Sequence, residues 1–369
     1  MSLHSRALAA LIAAATSMTL FAACAGTAPA DQSAQSSAPG STPSSADIST
    51  QSTSPNNSDS GTSVGENTSA ATGSDTSAGA MSGSSSAPSS ANAFPVTVKA
   101  SNGEVTVTAK PAAIASLSPT ATEMLYAIGA GDQVKVVDRD SDYPAGLPNA
   151  RVDAYQLNIE SLTSFRPDLV VMSDVAPDQE SKFKALGMTV IAESAPTNLD
   201  GTYAQIIQLG EVTGHAEQAR ALVAKMKGEV AAIIAEAPKP GGTATYYYEL
   251  DQTYYSVTSD TFIGHILGLV GLKSIADAAP DATKSGGYPQ LDSEFILKAN
   301  PGYVFLADSK CCQQTPATVG ARPGWSTLGA VSGGRVFLLD DDIASRWGPR
   351  TVDLLRAVAD DMKAHPVQK

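Results

Sequence analysis

The chain has 369 residues and a formal net charge of −13 at pH 7, with 24 lysines and arginines against 37 aspartates and glutamates. So acidic a chain argues against a nucleic-acid partner and against binding anionic lipid through a basic patch. Only three cysteines are present, and two of them are adjacent at 311 and 312, so no disulfide framework supports the fold.

The beginning of the chain is typical of a secretory signal. A short charged start precedes an apolar run over residues 7–21, which is too short to span a bilayer, since a span needs about 20 residues. Cys24 directly follows two alanines, as in the lipobox of bacterial lipoproteins, although Phe21 stands where that motif usually has leucine. We predict a lipoprotein signal peptide over residues 1–23 and lipidation of Cys24. Cleavage after the Ala-Pro-Ala at 28–30, which would discard that cysteine, is the alternative.

Residues 24–93 are predicted to be a disordered tether. After the cysteine they are nearly all Ser, Ala, Thr, Gly, Asn and Asp, with almost no large apolar side chains. Such a segment cannot bury enough surface to offset the entropy lost on ordering. The aliphatic and aromatic residues are concentrated in residues 94–369, which suffice for two medium lobes or one large domain.

The folded part is predicted to open with a hairpin over residues 94–109, which turns at Asn102-Gly103. Strands and helices then alternate, an order that predicts a mostly parallel sheet with helices on both faces. The predicted strands are 113–117, 134–138, 167–173 and 188–193, and the predicted helices are 121–128, 158–165 and 178–186.

The alternation stops at residues 199–236, where helical periodicity continues with one interruption near Gly214-His215. A second α/β series follows, with strands at 243–250, 301–307 and 334–340 and helices at 261–269, 292–298 and 349–364. We therefore predict an α/β fold with an N-terminal lobe over 94–198, linking helices over 199–240 and a C-terminal lobe over 241–369.

Two segments support lobes of related build. Residues 158–174 and 292–308 share one layout: a glutamate, a short amphipathic helix, a proline, a buried strand and an aspartate.

The segment SLSPTATEMLYAIGAGDQVKVVDRDSDYP, residues 116–144, resembles the opening of the substrate-binding proteins of iron–siderophore, heme and cobalamin importers of the ABC type. The similarity continues through NIESLTSFRPDLVV, GYPQLDSEFILKANPGYVFLAD, ARPGWSTLGAVSGGRVFLLDDD and SRWGPRTVDLLRAVADDM. The resemblance implies two Rossmann-like lobes, a long rigid helix between them and a ligand held in the cleft.

The resemblance also implies a role. Such a protein delivers its cargo to an ABC permease and its ATPase and performs no chemistry on the cargo. The expected protein is a monomer on the extracytoplasmic face of the cell membrane, held there by its lipid anchor, with neither a cofactor nor a metal.

The ligand residues are expected in loops at the carboxyl ends of the strands, where α/β folds bind ligands. Tyrosine and tryptophan suit a large, flat cargo because their rings give rigid contact area. The motifs SDYP and GYPQL resemble cobalamin-binding members, which favours cobalamin over ferric siderophore and heme. The predicted ligand residues are Ser118, Tyr143, Tyr155, Asp174, Tyr254, Tyr255, Tyr288, Arg346 and Trp347.

Each of these residues also has a structural interpretation. A tyrosine can be a core or rim aromatic, and Trp347 can pack its lobe. Arg346 can form a forked pair with ligand carboxylate or catecholate oxygens, whereas Arg350 can equally form a structural ion pair. Glu123 is expected to form an ion pair beside its helix or between loops.

Glu160 and Glu294 occupy the same slot in the two repeated segments. The resemblance implies that one glutamate per lobe docks into arginine pockets of the permease. The alternative is that each glutamate is an ordinary solvent-exposed residue of its helix.

Enzyme signatures are missing from residues 94–369, which contain no G-x-S-x-G, no H-E-x-x-H and no Walker loop. The four histidines of the chain are too scarce for the clusters of zinc or manganese receptors. The loop over 116–122, with Pro119 opening a helix, is predicted to hold a ligand rather than to catalyse. For Cys311 and Cys312, free thiols, a vicinal disulfide and a ligand contact all stay open. A surface enzyme or sensor that reuses the fold is the alternative from another class.

Overall fold

The structure is a computed structural model, and it describes residues 94–239 and 244–367. The predicted signal peptide, the lipidation of Cys24 and the predicted tether lie outside the described residues. Within the described part of the chain, no helix combines the length and the apolar character needed to cross a membrane.

The predicted hairpin is confirmed. Strands β1 (Val96–Ala100) and β2 (Gly103–Val107) pair antiparallel. Gly103 has φ 106°, a conformation that favours glycine because it has no Cβ. The Asn102 side chain donates to Val190 O and accepts from Ala192 N, which fixes the hairpin tip to the first large sheet.

The first large sheet has five strands, all parallel, in the order β5-β4-β3-β6-β7. Its strands are β3 (Ile114–Leu117), β4 (Val134–Asp138), β5 (Arg151–Val152), β6 (Leu169–Met172) and β7 (Thr189–Ala192). Its helices are α1 (Pro119–Ala127) and α2 (Pro177–Ala185), with 3-10 helices at Gly131–Gln133 and Ile159–Phe165.

Two helices follow this sheet, α3 (Leu199–Thr213) and α4 (Ala216–Glu236). Gly214 ends α3 in the left-handed region with φ 74°, so the predicted interruption is confirmed. The helical connection between the sheets therefore consists of two helices packed on each other, not of one continuous helix.

The second large sheet has four parallel strands in the order β11-β10-β8-β9. Its strands are β8 (Ala244–Glu249), β9 (Leu272–Ser274), β10 (Tyr303–Leu306) and β11 (Val336–Leu338). Its longer helices are α5 (Phe262–Gly268), α6 (Ser293–Ala299) and α11 (Thr351–Ala364). Shorter helices are α7 (Ser309–Cys312), α8 (Pro316–Gly320), α9 (Gly329–Ser332) and α10 (Asp341–Ser345), with 3-10 helices at Ile275–Ala278 and Trp325–Thr327.

The two sheets repeat one topology. Apart from the short edge strand β5, each sheet places its strands in the spatial order second, first, third, fourth along the chain. In both sheets the strand order therefore reverses beside the first strand, between β3 and β6 and between β8 and β10. Ligands of α/β sheets bind outside the carboxyl ends of the strands at such a switch point. This arrangement confirms the predicted α/β fold with two lobes.

Apolar clusters on both faces of the sheets form the core. One cluster combines buried residues of both lobes with α3, α4 and α11, and it includes Tyr246 and Tyr248. Tyr247 points to the opposite face of β8 and joins a second cluster with Trp325. This alternation follows from the strand geometry, in which successive side chains face opposite ways.

Candidate functional site

The switch point of the N-terminal lobe is built from hydroxyl groups. Ser118 follows β3 and caps α1, its Oγ accepting from Ala121 N at 3.4 Å and from Ser173 Oγ at 3.0 Å. Thr122 Oγ1 lies 2.8 Å from Ser116 Oγ and 2.9 Å from Ser141 Oγ. Ser118 is 3% exposed, so the structure places this predicted ligand residue at the base of the site with its hydroxyl bonded within the protein.

Two tyrosines project from the loops that follow β4 and β5. Tyr143 and Tyr155 have 47% and 63% of their surface exposed, which is uncommon for large aromatic side chains. The guanidinium of Arg350 lies 4.3 Å from the centroid of the Tyr143 ring and covers one face of it. Asp138, at the end of β4, accepts from Ala154 N at 3.0 Å and so fixes the loop that carries Tyr155.

An ion-pair cluster joins the two lobes; it consists of Glu123, Asp142, Asp342, Arg346 and Arg350, and we call it the inter-lobe cluster. Arg346 Nη1 donates to Glu123 Oε1 and Asp142 Oδ1, each at 2.8 Å, and its Nη2 donates to Asp342 Oδ1 at 2.7 Å. Arg350 Nε donates to Glu123 Oε2 at 3.0 Å. The ion pair expected of Glu123 is therefore confirmed.

The inter-lobe cluster limits how the guanidinium of Arg346 can contact a ligand. Burial opposes ionisation of Asp142, but the hydrogen bond and charge of Arg346 outweigh it and lower the pKa of that carboxyl. Both terminal nitrogens of Arg346 are engaged by carboxylates of the protein. A forked contact with two ligand oxygens would require at least one of these bonds to be exchanged.

Trp347 lies against the connecting helix α3. Its Nε1 donates to Gln205 Oε1 at 3.0 Å, and its carbonyl accepts from Thr202 Oγ1 at 3.0 Å. The residue is partly buried against the main core cluster, which agrees with the packing interpretation.

The remaining predicted ligand tyrosines, Tyr254, Tyr255 and Tyr288, lie in two segments of the C-terminal lobe that pair as a short antiparallel ladder. Leu291 N donates to Tyr254 O at 3.0 Å, and a β-bridge joins Tyr255 to Gln290. Tyr288 is 40% exposed at the end of this ladder, whereas Tyr254 stacks on Trp325 with ring centroids 5.7 Å apart.

The switch point of the C-terminal lobe is ionic, and sequence reasoning missed it. Glu249, at the end of β8, is 0% exposed and accepts from both terminal nitrogens of Arg322, at 2.5 and 2.6 Å. Asp308, after β10, is also 0% exposed, and no donor of the described residues reaches its carboxyl oxygens. Burial and the neighbouring charge of Glu249 raise the pKa of Asp308 to about 8.

The two repeated segments, 158–174 and 292–308, could have pointed to Asp308 but not to Glu249 or Arg322. Asp308 closes the second repeated segment as Asp174 closes the first, but Asp174 is exposed and its Oδ1 accepts from Val175 N at 2.8 Å. Glu249 and Arg322 are 73 residues apart, so no local pattern connects them.

The structure places Glu160 and Glu294 in equivalent positions. Both are exposed and lie in the first turn of a short helix, capped by the side chains of Asn158 and Asp292, respectively. Both helices end in a residue with a left-handed backbone conformation and lead into the central strands β6 and β10.

Two further features include none of the predicted ligand residues. Cys311 and Cys312 belong to α7, whose first N–H groups donate to the carboxylate of Asp341. A shallow depression of about 490 Å³ lies beside Tyr126 and Asp132, and none of the predicted ligand residues lines it. The site is therefore assigned from the chemistry of the strand-end loops.

Comparison with known proteins supports a binding role. The family model described as periplasmic binding protein matches residues 114–343. An uncharacterized ABC transporter substrate-binding lipoprotein of Bacillus subtilis, YvrC, is 31% identical over 279 residues, which cover 73% of this chain and 86% of that protein.

Two further similarities carry the name of a ligand. A cobalamin-binding protein of Halobacterium salinarum is 28% identical over 283 residues, which cover 73% of this chain and 74% of that protein. The crystal structure of the periplasmic vitamin B12 binding protein BtuF of Vibrio cholerae matches with a TM-score of 0.58 and 26% identity; the match covers 70% of this chain and 99% of that chain.

Proposed function

The chain belongs to the periplasmic binding protein family, and we propose that it is the lipid-anchored, extracytoplasmic substrate-binding component of an ABC importer. It captures a cobalamin-like corrinoid between its lobes and delivers it, chemically unchanged, to a permease and its ATPase. A ferric siderophore is the second candidate for the cargo, and heme is the third. The protein acts as a monomer, and lipidation of Cys24 after removal of residues 1–23 anchors it through the tether.

One observation carries the proposal. The aromatic side chains classed as exposed among the described residues are Tyr143, Tyr155 and Tyr288, and all three were predicted from sequence as ligand residues. They lie in loops that follow strand ends of the two lobes. Aromatic rings left in water at strand ends supply the flat, rigid contact area that a corrin ring requires. The similarity to proteins named for cobalamin and vitamin B12 favours the same cargo.

The geometry supports a limited closing motion. The N-terminal lobe (94–198) and the C-terminal lobe (241–369) are joined by the linking helices (199–240) and by the inter-lobe cluster. Cargo enters between the tyrosines, and the two connections restrict how far the lobes separate. Docking of Glu160 and Glu294 on the permease then supplies the force that opens the lobes and releases the cargo.

Deletion of the protein from its host tests this function. Uptake of labelled cobalamin is expected to be lost, and cobalamin recovered from the purified protein is expected to be chemically unchanged. Loss of ferric-siderophore or heme uptake alone would assign that cargo instead. Normal uptake of all three, together with turnover of a bound compound, would replace the receptor by a surface enzyme or sensor.

A further inference from the structure

Arg322 is the centre of a buried assembly in the C-terminal lobe. Its guanidinium is held by both oxygens of Glu249 and donates to Gln314 Oε1 at 2.8 Å. The same planar group lies 4.6 Å from the ring centroid of Trp325 and 5.4 Å from that of Tyr254. Arginine suits this place because a planar fork can pair with a carboxylate and stack on rings at once, which lysine cannot do.

The assembly constrains the loop that carries two predicted ligand tyrosines. Tyr254 has φ 71°, a left-handed conformation that costs a non-glycine residue about 1 kcal/mol or more and persists only where the surroundings enforce it. The surroundings are the stack on Trp325 and the guanidinium of Arg322. The carbonyl of Tyr254 is the acceptor for Leu291 N, so the backbone of this strained residue belongs to the ladder.

The ladder transmits this constraint to Tyr255 and Tyr288. Leu250 N donates to Tyr255 O at 3.0 Å, Ser256 N to Pro289 O at 3.0 Å and Thr258 N to Gly287 O at 2.8 Å. The first bond closes the turn that carries Tyr254, and the other two, together with the bond from Leu291 N to Tyr254 O, join residues 254–258 to residues 287–291, which include Tyr288. A shift of Tyr254 would therefore displace both tyrosines.

We propose that Arg322, oriented by Glu249, is a positioning residue for the C-terminal half of the ligand site, acting through Tyr254 on Tyr255 and Tyr288. Arg322 does not touch the cargo. It fixes the loop before the cargo arrives, so that binding does not have to provide the ordering free energy. The inference rests on the proposed function for its consequence in binding, but the constraint on the loop is a property of the protein alone.

The test compares Arg322→Lys with Arg335→Lys in the full-length protein. Arg335 is a matched control: it is a half-buried arginine of the same lobe whose Nε and Nη2 donate to the carbonyls of Gly302 and Gly329. Hydrogen–deuterium exchange of the peptides covering 250–258 and 287–291 is expected to accelerate about tenfold in Arg322→Lys and to stay at the wild-type rate in Arg335→Lys.

Binding provides the readout that a purely structural role would leave unchanged. Arg322→Lys is expected to raise the Kd for cyanocobalamin about tenfold. In a background with Tyr255→Ala and Tyr288→Ala, the same substitution is expected to change the Kd by less than about twofold, because the residues through which it acts are gone. If Arg322→Lys does not fold, Gln314→Ala removes one acceptor of the same guanidinium and is expected to accelerate exchange in the same two peptides.

Two results would overturn the proposal: equal effects of the two lysine variants on exchange and affinity, or a Kd change that persists in the double-alanine background. Failure of the proposed function looks different. In that case the wild type binds no cyanocobalamin, ferric siderophore or heme, and the exchange rates alone decide whether Arg322 holds the loop: accelerated exchange supports the constraint and unchanged exchange refutes it.

Discussion

The two sheets share a strand order but not the chemistry at their carboxyl ends. In the N-terminal lobe, the switch point is filled by uncharged hydroxyls, with Ser118 and Ser173 bonded to each other. In the C-terminal lobe, the same place holds a buried ion pair between Glu249 and Arg322, next to the buried carboxyl of Asp308. Topology thus determines where a site can form, whereas side chains that are distant in sequence determine its chemistry.

On the outer surfaces, in contrast, the two lobes carry the same residue type in the same place. Glu160 and Glu294 lie in the same turn of equivalent short helices, with similar caps at both ends. The outer surfaces thus match, whereas the chemistry at the strand ends differs between the lobes. Under the proposed function this contrast has a simple reason. A docking surface uses the two lobes in the same way, but a single asymmetric cargo meets different atoms on each lobe.

The largest expected effect comes from reversing the repeated charges. With Glu160→Lys and Glu294→Lys together, cargo affinity is expected to be unchanged and uptake abolished, because docking loses both of its charged contacts. Uptake of labelled cargo and titration of the purified variant measure the two quantities. The control is Glu104→Lys with Glu217→Lys, which changes the net charge equally at exposed positions outside the repeat. Normal uptake by the first variant would refute the docking role.

Breaking the ionic switch point is expected to cost the most stability. Glu249→Gln leaves the Arg322 guanidinium without its buried counter-charge and is expected to lower the free energy of unfolding by about 3 kcal/mol. Asp178→Asn, in the exposed pair with Lys182, is expected to cost less than about 1 kcal/mol. Denaturant titrations of both variants measure this contrast. Similar losses in the two would show that the buried pair has no special weight.

The pH dependence of the free energy of unfolding tests whether the carboxyl of Glu193 is buried. Burial raises the pKa of Glu193 to about 8, so this residue takes up a proton on folding and stabilises the protein below its unfolded pKa. That contribution is lost as the pH rises from about 4.5 toward 8, and Gln at this position does not titrate.

The stability of Glu193→Gln relative to wild type is therefore expected to increase by roughly 3 kcal/mol between pH 5 and pH 8. Chemical denaturation at several pH values measures this difference. A difference that does not change with pH would contradict a pKa of Glu193 raised by burial.

The smallest effect is expected at the hydroxyl switch point. Ser118→Ala removes the cap of α1 and the acceptor for Ser173, and is expected to cost about 1 kcal/mol of stability. The same measurement on Thr97→Ala, at an exposed hydroxyl pair of the hairpin, gives the background for losing a surface hydrogen bond. A loss at Ser118 as large as that at Glu249 would remove the contrast between the lobes.

Local patterns predicted most of the elements, and their failures have a physical cause. β4 was predicted at residues 134–138 and is found there, because a run of apolar β-branched residues bounded by turn residues is distinctive. The edge strands β5 and β9, with two and three residues, were missed because they are too short to show a period. The short helices α7–α10 were missed for the same reason.

The candidate site was predictable only where chemistry follows a strand end. Tyr143 and Tyr288 were predicted from the motifs SDYP and GYPQL, which resemble cobalamin-binding members, and their role in binding stays a prediction. Arg346 was identified, but its network was not, because its partner Glu123 is 223 residues away in the chain. The pair of Glu249 and Arg322 was missed because neither residue type nor spacing marks a contact that only the fold creates.

Titration of the purified protein with cyanocobalamin tests the central claim most directly, with ferric siderophores and heme as parallel ligands. Both tryptophans, Trp325 and Trp347, lie in the C-terminal lobe and report binding through their fluorescence. Saturable binding of cyanocobalamin with a Kd below about 1 μM is expected, with weaker or no binding of the other two ligands. No binding of cyanocobalamin at a hundredfold higher concentration would contradict it.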